Sequence, residues 1–290
     1  MSYGIGAYVL WGLFPLYWPL LEPASPWEIL AHRMAWSFAF LLVINGILRT
    51  WPQVRAALGD ARTRRLLLGA AALVSVNWGT YIWAVNNGYV VEASLGYFIN
   101  PLVSVALGVL VLGETLRRLQ WIAVGIAGFA VAVLTFSYGR PPWIALILAF
   151  SFGLYGLARK QAGVPAVPAL TVETAFQAPF ALGYLLLLAS SGHLTFGADP
   201  ANSLMLMTSG IATTVPLLLF GAAAIRLPLV VLGVLQYLAP VIQFLLGVTV
   251  FAEHMPPGRW AGFALVWLAL VLFTADVVHS SRRSQADPPL

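Results

Sequence analysis

The sequence predicts an all-α integral membrane protein: ten transmembrane helices, arranged as two inverted five-helix repeats, with both termini cytoplasmic. Three observations carry that prediction. Hydrophobic residues make up 60% of the chain and charged residues only 9%, whereas soluble domains hold roughly 25% charged residues. Apolar stretches of about 20 residues, enough to cross roughly 30 Å of hydrocarbon, recur along the whole length. Finally, a pattern of Pro, Gly, Glu and Trp in the first half returns in register in the second. The chain contains no cysteine, so disulfides and thiolate metal sites are excluded. The net charge of +5 does not point to nucleic acid, because the basic residues lie between apolar spans, as membrane topology requires.

The first span lies near 3–21. Its N-terminal stretch MSYGIGAYVLWG lacks a basic leader region and a small-residue cleavage site, so it reads as a span and not as a removed signal peptide. Further spans are expected near 28–48, 66–86, 93–112, 119–137, 142–158, 168–190, 203–225, 229–251 and 259–279. Proline punctuates the connections at Pro23, Pro26, Pro141, Pro142, Pro200, Pro228, Pro256 and Pro257. The repeats occupy 1–138 and 139–279. Residues 280–290, ending SRRSQADPPL, form a polar cytoplasmic tail expected to be disordered. With both termini inside, twelve of the 15 basic residues fall in cytoplasmic segments, two (Arg140 and Arg259) fall outside, and Arg33 lies within a span. That bias fixes the predicted orientation.

One ungapped offset of 139 residues places Pro101 on Pro240, Gly108 on Gly247, Glu114 on Glu253 and Trp121 on Trp260. Leu107, Val109 and Thr135 also fall on Leu246, Val248 and Thr274. Apolar coincidences are cheap in such a chain, but a Pro, Gly, Glu and Trp in one register are not. The earlier spans match more weakly at an offset of 141, where Gly12 meets Gly153 and His32 meets Glu173. Five is odd, so the second repeat enters the membrane upside down. Inverted repeats are the mark of secondary transporters, which switch access by exchanging the conformations of their halves.

The stretches EILAHRMAWS (28–37), NWGTYIWAVNNGYVVEASLGYFINPL (77–102), SFGLYGLARK (151–160) and QYLAPVIQFLL (236–246) give a specific resemblance. The chain resembles the RarD family, built from EamA-type repeats, within the drug/metabolite transporter superfamily. The resemblance covers the whole chain; one departure from the family is the absent polar N-terminal extension. It implies a bacterial inner-membrane permease whose first, third, fourth, sixth, eighth and ninth helices line a central cavity, working as an exporter. It does not name the substrate.

Polar residues inside the spans are the candidates for that cavity or its gates. In WEILAHRMAW, Glu28 and His32 share a helix face and stand at hydrogen-bonding spacing, while Arg33 faces elsewhere. A charge deep in a span costs about 2.5–3.5 kcal/mol on insertion scales and usually marks a pathway or a pair. The competing reading has Arg33 reaching up to water from near the helix end. Glu173, in LTVETAFQ, is a second such charge: a protonatable coupling site, a gate, or a carboxylate satisfied by Thr171 and Thr174. The levels of Arg33 and Glu173 differ by about 15 Å, at about 1.5 Å per residue, which argues against a direct salt bridge. Asn77, Tyr81 and Trp78 in the third span, and Tyr97, Asn100 and Ser104 in the fourth, form polar stripes. Interhelical hydrogen bonds in membranes average only about 0.6 kcal/mol, so cavity lining is favoured over adhesion. Gln236, Tyr237 and Gln243 in the ninth span follow by the repeat, and Trp11 and Tyr155 are weaker candidates.

Pro101 and Pro240 each remove a backbone hydrogen bond and are expected to kink the fourth and ninth helices as hinges. Glu114 and Glu253 end their spans, where a negative charge opposes the helix dipole, so turn fixing is favoured over substrate contact. No phosphate loop is present, the four histidines are too scattered for a metal site, and no nucleophile stands beside a base. Those absences argue against an enzyme and against any cofactor. The expected function is permeation of small amphipathic organic solutes, such as amino acids or drug-like metabolites. Protons are candidate coupling ions, the lipid bilayer is the surroundings, and the duplicated chain is expected to act as a monomer. A gated channel and a non-transporting scaffold or sensor are the alternatives.

Overall fold

The computed structural model describes residues 1–112, 116–224 and 235–286, and every regular element within them is a helix. The first span is broken. Helix α1 (Ser2–Gly12) gives way to α2 (Phe14–Tyr17) and a 3-10 turn (Trp18–Leu21), with a bend of 46°. Pro15 and Pro19 each sit in the opening turn of the piece they begin, where a missing N–H is no loss. Helix α3 (Pro26–Leu48) starts where the Ser25 hydroxyl accepts from the Glu28 N–H at 3.2 Å, a side-chain cap for an otherwise orphaned donor.

A short helix α4 (Trp51–Gly59) fills what the sequence reading took for a plain connection. Its Val54 and Ala57 bury against Leu67, Ala169 and Val172. Nine residues are too few to stand out in hydropathy, and only this packing holds them. Helix α5 (Ala61–Asn86) begins before the expected span because Asp60 caps it, accepting from the Thr63 N–H at 2.7 Å. The chain continues as α6 (Val90–Leu112), α7 (Arg118–Tyr138), α8 (Trp143–Ala162), α9 (Ala166–Ser190), α10 (Pro200–Ala224), α11 (Leu238–Thr249) and α12 (Pro257–Ala286).

Six of these helices are long and apolar enough to cross a membrane, the bent first pair would make a seventh, and shorter apolar stretches lie in α6, α8 and α11. Two expectations are corrected. Pro240 lies in the first turn of α11 and not in mid-helix, so it removes no helical hydrogen bond; Pro101 does lie inside α6. Helix α12 runs on to Ala286, through most of the stretch expected to be disordered. After Gly262 no Gly or Pro occurs before Pro288. Glu114 and residues 225–234 of the expected eighth and ninth spans lie outside the described residues.

The two halves interlock. Helix α3 packs against α9 and α10, α8 packs against α5 and α6, and α1 packs against α10 and α11. Helices α6 and α11 meet, as do α7 and α12. The largest apolar cluster joins α6, α7, α8, α11 and α12 around Phe98, Leu134, Phe244 and Phe263. Small residues set the closest crossings, as expected where lipid offers no hydrophobic drive for association. A Cβ on Gly210 would lie 2.5 Å from the Trp36 carbonyl carbon, and one on Gly96 would lie 2.8 Å from the Ala145 oxygen.

The α3–α10 crossing can be tested directly. Gly210→Val should destabilise the detergent-purified protein by at least about 1–3 kcal/mol, the usual cost of overpacking, seen as a lower thermal unfolding midpoint. Gly69→Ala, with open space around it, should leave the midpoint in place.

Candidate functional site

Arg33 lies wholly inside the bundle, 3% exposed, so it does not reach up to water. Its guanidinium carbon stands 4.0 Å from the Trp78 ring centroid, 5.0 Å from that of Trp18 and 5.8 Å from that of Phe14. The cage is therefore built by α2, the 3-10 turn, α3 and α5. Cations over aromatic faces are attracted by the ring quadrupole, more strongly when desolvated. Tyr17, Tyr81 and Tyr97 are close enough to feel the charge. From this cage a ladder of rings runs through Tyr81, Tyr97, Phe152 and Tyr155, with successive centroids 5.5, 6.3 and 5.7 Å apart.

At the far end of the ladder sits Glu173, fully buried. Its Oε1 accepts from Arg159 Nη1 at 2.7 Å and its Oε2 from the Tyr155 hydroxyl at 3.2 Å. The sequence reading missed Arg159, which it assigned to a loop just beyond the sixth span; α8 carries that residue one more turn. Thr171 and Thr174 do not serve the carboxylate, because both hydroxyls donate to carbonyls of their own helix. Tyr155 and Arg159 also border a crevice lined by Leu41, Leu170 and Thr214. Arg33 and Glu173 do not pair.

Glu28 and His32 face away from Arg33, as their spacing requires, but they do not hydrogen-bond. Their nearest approach is 3.9 Å, and His32 Nε2 has no partner. Glu28 Oε1 instead accepts from the Thr195 N–H at 2.8 Å, its hydroxyl at 2.9 Å and the Phe196 N–H at 3.3 Å. The His32 ring stacks on Phe196 at 4.8 Å. This pair thus clamps the connection between α9 and α10 over the end of α3. Asn202 adds a second tie, donating to the carbonyls of Leu21 and Glu22.

Asn77 is a bridge among helices. Its amide donates to the Leu148 carbonyl and the Ser151 hydroxyl, both at 3.0 Å, and its oxygen accepts from the Tyr97 hydroxyl at 3.2 Å. The amide of Gln243 donates to the Trp11 carbonyl at 3.0 Å, joining α11 to α1. Trp11 packs its ring against Tyr8 and Phe220. The Tyr237 hydroxyl lies near the side chains of Thr274 and the half-buried Gln236. Asn100 points its oxygen toward Gly153, where α6 meets α8.

Glu253 does not face the dipole of its own helix. Both its oxygens accept from the Val91 N–H, at 3.1 and 3.2 Å, so its charge sits at the N-terminus of α6, where the dipole favours it. Beside it lies Glu92, which the sequence reading did not single out. Glu92 pairs with Arg140 through a 2.8 Å contact and accepts from the Ile144 N–H at the start of α8. The available signal was Arg140 itself, one of two basic residues expected on that face, opposite an acidic span end.

Comparison with known proteins settles the relationship. A model of the EamA-like transporter family matches residues 1–136. Protein RarD of Streptomyces exfoliatus is 56% identical over 287 residues, spanning 99% of this chain and 91% of that protein. The chain belongs to the RarD family of EamA-like transporters. An uncharacterized transporter, YojE of Bacillus subtilis, is 47% identical over 97% of the chain and 95% of its own length. Protein RarD of Escherichia coli is 43% identical over 97% and 95%. A solved crystal structure shares the fold at a TM-score of 0.63 and 19% identity, over 94% of this chain and 96% of that one. Membership of the RarD family, together with the run of apolar helices, makes this a multi-pass membrane protein.

Two consequences can be measured on the purified protein. Arg159→Gln strands the Glu173 carboxylate without its counter-charge and should lower the unfolding free energy by about 3–5 kcal/mol. The double variant Arg159→Gln/Glu173→Gln should recover most of that loss; a double variant no more stable than the single one would detach the loss from the pair. Glu253 has its pKa raised by burial to about 7, against the pull of the Val91 and Val90 N–H groups and Arg259. A folded pKa above the ordinary carboxylate value stabilises the fold at low pH, and that contribution is lost as pH rises from 4.5 through about 7. Wild type should therefore lose thermal stability across this window, and Glu253→Gln should show a flatter profile.

Proposed function

We propose that the chain is a secondary transporter of small amphipathic organic solutes, working by alternating access in the bacterial cytoplasmic membrane. In this reading it has ten spans in two inverted repeats, and it acts as a monomeric, non-enzymatic exporter. The observation that carries the proposal is the pattern of helix contacts. Exchanging each span of one half for its counterpart in the other turns the α5–α8 contact into α10–α1, and α6–α8 into α11–α1. The α3–α9, α6–α11 and α7–α12 contacts map onto themselves. A packing scheme that survives this exchange is what two interconverting halves require. Near-full-length similarity to proteins named as transporters supports the same reading.

The end held by Glu28, Glu92 and Glu253 is the periplasmic gate, shut in this conformation. The Glu173–Arg159–Tyr155 group is the cytoplasmic latch. Because Arg159 neutralises Glu173, this carboxylate works in the proposal as part of a gate and not as a proton carrier.

Counterflow in proteoliposomes tests the function. Protein loaded with an unlabelled amphipathic solute should accumulate the labelled solute transiently, and a panel of anionic, zwitterionic and cationic amphiphiles at two pH values identifies the class. Flux without counterflow would mean a channel. No movement of any solute would leave a scaffold or sensor.

A further inference from the structure

Two less buried arginines have carboxylates: Arg159 holds Glu173, and Arg140 holds Glu92. Among the described residues Arg33 has no carboxylate within ion-pair distance, although it is 3% exposed. Its Nε has no hydrogen-bond partner within the protein. The unsatisfied groups around it are donors as well: the Tyr81 hydroxyl and the Trp18 indole nitrogen are both buried and without a partner. The aromatic cage offsets part of the cost of desolvating the cation, but rings accept no hydrogen bonds of guanidinium strength and carry no net charge. A fixed positive charge with spare donors and no carboxylate partner among the described residues is the complement of an anion.

From this we infer that Arg33 is the anchor for the carboxylate of the carried solute, so that the substrate class is organic carboxylates with an apolar or aromatic body. The inference rests on the transporter reading and narrows it. One arginine without a second cation in its cage matches a single negative charge better than a phosphate dianion. The fork of guanidinium N–H groups suits a planar carboxylate. The ring ladder from Tyr81 to Tyr155 offers the body of the solute an apolar, aromatic track toward the opposite end of the bundle. Glu28 and His32 take no part in the binding, because they are engaged with the Thr195–Phe196 connection on another face of α3.

The experiment uses phenylacetate, phenylacetamide, phenethylamine and phenyl phosphate, four probes of similar body and different charge. Binding is read as thermal stabilisation of the full-length protein in detergent, and transport is read as counterflow in proteoliposomes. Phenylacetate should bind about tenfold or more tightly than its amide, the difference expected of a charge-assisted hydrogen bond. The amine should bind more weakly still, and phenyl phosphate no better than phenylacetate. Arg33→Gln should remove the preference for carboxylate over amide, and Arg33→Lys should retain part of it. If Arg33→Gln does not fold, the order among the four probes on wild type decides alone. Equal binding of acid and amide, a preference for the amine or the phosphate, or no binding by any probe would overturn the inference. Counterflow of the amide or amine without the acid would overturn it while leaving the transporter reading intact. Arg33-dependent binding of phenylacetate with no counterflow of any probe would keep the anion site and overturn the transporter reading.

Discussion

The architecture depends on the cost of an unmatched charge in hydrocarbon. A charged side chain at mid-membrane costs a few kcal/mol even on permissive scales, and an orphaned backbone donor there has no water to turn to. The buried carboxylates Glu173, Glu92 and Glu28 are therefore each placed where another element supplies what they lack. Glu173 on α9 meets Arg159 on α8. Glu92 on α6 meets Arg140 and the Ile144 N–H at the start of α8. Glu28 on α3 is satisfied by the backbone entering α10. In each case the partners lie on different elements, so the ion pairs and caps fix how neighbouring helices and connections stand relative to one another.

This arrangement gives the two ends of the bundle different chemistry. At one end Glu92 and Glu253 accept from backbone N–H groups at helix starts, where the dipole adds to the hydrogen bond, and Glu28 accepts from those of the Thr195–Phe196 connection. At the other, a side-chain pair and a tyrosine do the work. Backbone-to-carboxylate contacts hold fixed segments in place, whereas a side-chain pair beside a crevice has room to open. Between the two ends, Asn77 and the ladder of rings tie α5, α6 and α8 together. Arg33 stands apart, because the protein matches its size and its aromatic affinity but not its charge.

Much of this was legible in the residues, and the exceptions have physical causes. The apolar runs marked the long apolar helices, because hydropathy is a property of the sequence alone. The separation of Arg33 from the Glu28–His32 face also followed from helical spacing. The partner of Glu173 was not legible, since Arg159 lies fourteen positions away on a neighbouring helix and no periodicity links them. Glu28 and His32 stood at a spacing that permits a hydrogen bond, yet an oxygen that can take three donors from one loop prefers them to one imidazole. Pro240 looked like a mid-helix kink because the residues before it are as apolar as those after it; the start of α11 at Leu238 is decided by the packing around it.

By itself, then, the chain determined the class of protein, the recurrence of apolar segments along its length, and the short set of polar residues that burial would make expensive. Those outcomes need only the free energy of moving side chains and backbone between water and lipid, which is additive along the sequence. Tertiary structure alone decided which polar residues meet, which helix starts Glu92 and Glu253 cap, and that Arg33 is left with rings for company and no counter-ion among the described residues. Those outcomes depend on distances between segments far apart in the chain, where a shift of a few ångströms turns an ion pair into two isolated charges.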